Sequence, residues 1–250
     1  MGSALSLRIM LAGLVVSFAA ACPGDGQGDS RTRTTFDLVI AAEGDPASLS
    51  SEHGGTVELT EAKLSIGTIE WFLGDALFAT RIDRTQRVID GLLSFSAARA
   101  HPGHYTPGEA LADLPAVGVV DLLAGPFAAG TAEGLTGVYG TLSLPFENAS
   151  ELGDAAVKLT GTAHLDDGDV PFSIALPLDK TVEGVPCAVT ISGSGTLTLT
   201  VSLEDLVRRI DFSELPRDAT ADLLTIEQGR NSVERSIESQ ATYTATYDEG

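Results

Sequence analysis

Cysteine, basic charge and long apolar runs are all scarce in this chain. Only 2 cysteines occur in 250 residues, Cys22 and Cys187. One cysteine near the start and one in the body leave no obvious disulfide framework. The 15 lysines and arginines face 35 acidic residues, a net charge of −20. Nothing in that balance offsets phosphate repulsion, so nucleic acid is not an expected partner. Such acidity suits an extracytoplasmic surface or the attraction of cations. Enzyme signatures are missing too: no G-x-S-x-G elbow, H-E-x-x-H helix, phosphate-binding loop or dinucleotide glycine pattern occurs.

The uncharged run Ile9 to Ala21 follows Arg8 and ends in Ala19-Ala20-Ala21. Thirteen residues rise about 20 Å as a helix, short of a hydrocarbon core of about 30 Å. A positive start, an apolar middle and small residues at the end form the layout of a secretory signal over residues 1–21. The alternative is an uncleaved membrane anchor. Cys22 follows directly, and Ala19-Ala20-Ala21-Cys22 resembles the lipobox of bacterial lipoproteins. That resemblance implies a lipidated Cys22 and a membrane-anchored protein on the periplasmic or cell-surface side. Residues 22–33, rich in glycine, then read as the lipidated cysteine and a flexible tether. Ordinary cleavage followed by a Cys22–Cys187 disulfide is the rival reading.

Hydrophobic content of 43% is that of a globular protein, and 27 glycines with 11 prolines imply many turns. Period-two alternation recurs along residues 34–250, which read as one domain. It is clearest at Phe36-Leu38-Ile40, Val157 to Leu165, Phe172 to Leu178, Leu197 to Leu203 and Tyr243 to Tyr247. Between Val57 and Leu73 the apolar phase changes twice, which predicts bulges or two strands joined at a corner. Gly74-Asp75 predicts a turn into a hairpin partner over 76–82, and a further strand is predicted over 87–100. Short helical turns are expected in the 105–125 region, over Glu109 to Leu114 and Gly118 to Ala124. Further helices are expected near 204–238, the first capped by Ser202 and the second interrupted at Gly229. The threonine-rich alternate positions suit the solvent face of antiparallel strands. The expected fold is therefore mainly β, an antiparallel β-sandwich of immunoglobulin or transthyretin-like type with helical additions.

Coordinating groups concentrate in Ala100 to Ala110. His101-Pro102-Gly103-His104 places two imidazoles at the first and fourth positions of a Pro-Gly turn, with Cα atoms less than about 7 Å apart. Imidazole suits copper or zinc. Two ligands do not complete a site. Glu109 is the nearest further donor in sequence; His53 and His164 are distant additional ligands, and Tyr105 or Trp71 are candidates to wall the site. The bland reading is an ordered turn whose imidazoles bond to loop backbone. Asp166-Asp167-Gly168-Asp169 lacks the spacing and distal glutamate of a calcium loop and reads as a hairpin turn. Cys187 reads as a small buried hydrophobe.

The strand Phe36-Asp37-Leu38-Val39-Ile40, Leu64-Ser65-Ile66-Gly67, Val120 to Gly125 and Gly137-Val138-Tyr139-Gly140 resemble segments of uncharacterised bacterial lipoproteins with a sandwich fold. Their layout is similar to that of periplasmic copper-binding proteins of the metallo-mystery pair type. The resemblance implies a binding role and transfers no ligand, because Trp71 here is followed by Phe72-Leu73. The expected function is a lipid-anchored, non-catalytic binding module that takes a transition metal at the His101/His104 loop. The alternative is a metal-free structural or interaction lipoprotein with an envelope protein partner. A divergent hydrolase ranks third.

Overall fold

The computed structural model describes residues 31–73, 108–215, 217, 221–222 and 227–250. The expected signal, Cys22, the hairpin at 74–82, the strand at 87–100, His101, His104 and Tyr105 lie outside the described residues.

The body is mainly β. Its strands are β1 (Arg33–Glu43), β2 (Leu49–Ser50), β3 (Thr56–Ile66), β4 (Ile69–Phe72), β5 (Ala110–Leu114), β6 (Gly118–Asp121) and β7 (Phe127–Leu135). They continue as β8 (Gly137–Phe146), β9 (Val157–Leu165), β10 (Gly168–Leu176), β11 (Lys180–Ile191), β12 (Gly195–Ser202), β13 (Ala221–Asp222) and β14 (Tyr243–Glu249). Two α-helices are described, α1 (Leu203–Val207) and α2 (Glu227–Glu238).

All of these strands join one hydrogen-bonded network, in the order β13-β10-β9-β3-β8-β4-β5-β7-β1-β12-β14, with β11 on β8 and β2 and β6 on β3. The network is mixed, which corrects the expectation of a purely antiparallel sheet: β1 runs parallel to β12, and β10 parallel to β13. Chain order permits this: neighbours joined by a short turn, as β9 and β10 are, must run antiparallel, whereas β1 and β12 belong to distant parts of the chain, where either direction is open. β11 lies along β14, so the path β11-β8-β4-β5-β7-β1-β12-β14 curls back on itself. Side chains stitch that seam: Gln240 Nε2 donates to the Glu183 carbonyl at 3.1 Å and Ser192 Oγ to Glu249 at 2.8 Å.

The alternation read from the sequence becomes burial. Phe36, Leu38 and Ile40 of β1, Leu197, Leu199 and Val201 of β12, and Val170, Phe172, Ile174 and Leu176 of β10 all face one core. Phe36 is its aromatic hub, edge-on to Trp71 at 5.4 Å and to Tyr139 at 5.8 Å between ring centroids. The two phase changes in Val57 to Leu73 are both real. A bulge between Leu59 and Glu61 shifts β3 against β9, and the chain breaks between β3 and β4 around Gly67. Gly161 sits opposite this bulge, where any Cβ would run into the Glu58 carbonyl.

The described part of 105–125 is not helical. Residues 110–114 and 118–121 are strands, paired to β4 and to β3. Five- and four-residue runs are too short to gain helical stability alone. Pairing against β4 and β3 buries Leu111, Leu114 and Val120 instead. Helices occur at both ends of the 204–238 region, but the second starts only at Glu227, and Ala221–Asp222 before it form a strand paired parallel to β10 instead of helix. Ser202 caps α1 as expected, its Oγ accepting from Asp205 N at 3.1 Å. Gly229 lies within α2 rather than ending it, since a glycine in the opening turn costs only its propensity.

Candidate binding cleft

β4, β5, β7 and β1 are consecutive antiparallel neighbours, and their registers align one residue from each. Glu70 pairs with Asp113, Asp113 with Glu133, and Glu133 with Thr35. One residue along, Trp71 and Ala112 also pair, and Trp71 turns into the core. The pleat therefore sends Glu70 and its partners to the opposite, open face. Three carboxylates stand in a row across three strands, each pair with Cβ atoms about 4.5–5.5 Å apart as cross-strand neighbours are. They line a cleft of about 740 Å³ together with Arg33, Thr35, Thr68 and the strand residues between them. Among the described residues, no cation forms an ion pair with Glu70, Asp113 or Glu133. Like charges directly opposite destabilise a sheet, so this row costs stability and presents negative charge to whatever enters the cleft.

Some acids elsewhere on the sheet have partners among the described residues. On the β3–β9 face, Glu61 accepts from Lys63 at 2.9 Å and Lys158 at 3.0 Å. Partial burial pushes the Glu61 carboxyl up, and the two lysines outweigh it, leaving it below the usual carboxylate range. Asp37, on the same open face of β1 as Thr35, accepts from Thr131 Oγ1 at 2.6 Å.

The residues singled out by sequence are dispersed. Glu109 pairs with Arg31 at 3.0 Å, close to the rim formed by Ala110. His164 lies on β9 between two carboxylates, Nδ1 at 2.9 Å from Asp169 Oδ1 and Nε2 at 3.6 Å from Glu58 Oε2. The hydrogen bond to Asp169 is the main cause that raises its pKa, with Glu58 adding to it. This imidazole is placed to hold a proton between two acids. His53, in the turn before β3, faces Asp211 at 3.7 Å. Asp211 is held below its ordinary value chiefly by a hydrogen bond from Ser213, and His53 contributes. Trp71 is fully buried in the core. Cys187 is a buried thiol on β11 with no disulfide partner among the described residues, pushed up to about 12 by burial. Among the described residues, no three of His, Cys, Asp or Glu converge in a way that could hold a metal ion.

The acidic row was not found by reading the sequence. Its members lie 43 and 20 residues apart, and only the registers of β4, β5 and β7 bring them level. The available signal was weak: a single acid in each of Ile69-Glu70-Trp71, Ala112-Asp113-Leu114 and Ala132-Glu133-Gly134. No family model, curated protein or solved structure matches this chain.

Proposed function

We propose that this chain is a non-catalytic binding module of a cell envelope, held on the periplasmic or cell-surface side of a membrane by lipid on Cys22, and that it binds a cationic partner in the cleft beside β4, β5 and β7. The curled strand path, in this reading, packs as the two-layered sandwich expected from the sequence. One observation carries the binding role: the row Glu70, Asp113 and Glu133 faces a ligand-sized cleft without a pairing cation among the described residues. A sheet that only had to be stable gains nothing from three aligned like charges. The net charge of −20 supports the same reading, because it draws cations toward the surface before contact.

The test is retention of the protein's partner on immobilised full-length chain from an envelope extract, washed in rising salt. The expected result is a basic protein retained by the wild type and released as salt screens the row. The Glu70→Gln, Asp113→Asn, Glu133→Gln triple variant should not retain it. Equal retention by both chains overturns the reading.

The transition-metal reading keeps His101 and His104 as ligands for copper or zinc. It is favoured by their spacing across a Pro-Gly turn. Glu109 pairs with Arg31 through Oε2, so a ligand role for this acid would fall to its other oxygen. Equilibrium dialysis with Cu(I), Cu(II) and Zn(II) checks it: a His101→Ala, His104→Ala double variant should lose one bound ion, and unchanged binding sinks the idea.

A further inference from the structure

We draw no further inference here: the strongest candidate outside the site already described, the smaller cleft at the ends of β1 and β12 walled by Glu43, Glu204 and Asp205, is an acidic cluster beside a five-residue helix, with no second observation that points to a ligand.

Discussion

His164 on β9 and Asp169 on β10 are directly opposite in the antiparallel ladder, and their side chains close that pairing with a 2.9 Å contact. Glu58 of β3 approaches the other ring nitrogen, so one imidazole ties three strands. The folded pKa of His164 is raised above its ordinary value, first by Asp169. Its contribution to stability is therefore complete below the unfolded pKa and is lost as pH rises through the folded one. His164 is 40% exposed and Asp169 is 67% exposed, so solvent screening keeps the effect below about 1 kcal/mol. An NMR titration should place the His164 midpoint above that of a free histidine, and Asp169→Asn should lower it. A midpoint unmoved by Asp169→Asn would show that the contact does not hold the proton.

Neutralising the acidic row should stabilise the fold. Each of Glu70→Gln, Asp113→Asn and Glu133→Gln removes a like-charge contact, with the central Asp113 removing two. Gains of about 0.2–1 kcal/mol per relieved contact are expected. Urea denaturation at low salt measures them, and the gain should shrink in high salt. A loss of stability in all three variants would mean that the row is structurally supported rather than strained.

Gly134 marks a close approach between β7 and β5. A Cβ there would stand 2.5 Å from Ala112 Cβ and 2.6 Å from the Tyr139 hydroxyl. That hydroxyl donates to the Leu135 carbonyl at 2.7 Å, and burial pushes its pKa up to about 12. Gly134→Ala should cost about 1–3 kcal/mol by overpacking. Thermal unfolding of Gly134→Ala, alone and with Ala112→Gly, provides the check: the second change should return part of the loss.

Ala188 holds φ at +46°, inside the irregular register where β11 passes Pro186 and Val189 against β8. Alanine adopts that left-handed region at a cost of roughly 1–2 kcal/mol, and glycine adopts it freely. Ala188→Gly should leave the protein as stable or up to about 1 kcal/mol more stable, since glycine's greater unfolded-state entropy offsets part of the relief. Ala188→Val should destabilise it. Paired chemical denaturation curves separate the two, and a more stable valine variant would contradict the geometry.

Much of the scaffold was legible because alternation maps onto burial with little ambiguity. Val157, Leu159 and Ala163 of β9 turn inward while Lys158, Thr160, Thr162 and His164 do not. The phase slip near Leu59 predicted a bulge, and Ser202 predicted a helix start, each from a local rule. The failures are non-local. Residues 110–114 have residue types that suit a helix, but the edge of β4 was waiting for a strand, and tertiary pairing overrode propensity. The parallel partnership of β1 with β12 leaves no trace in either segment. The acidic row is the same kind of feature, since a register decides it and no single strand contains it.

β1 bears on how the molecule assembles. Asp37 meets Thr131 on one side, 94 residues away, and Thr196 on the other, 159 residues away. Neither ladder of this strand can zip up from a neighbouring turn. Loop closure over such separations comes before any reward, which slows folding relative to helical or hairpin-built domains. Until those distant strands arrive, Phe36, Leu38 and Ile40 belong to a sticky segment with two unpaired edges, open to the wrong partner. Misassociation during refolding is therefore expected to rise with protein concentration until β7 and β12 are in place.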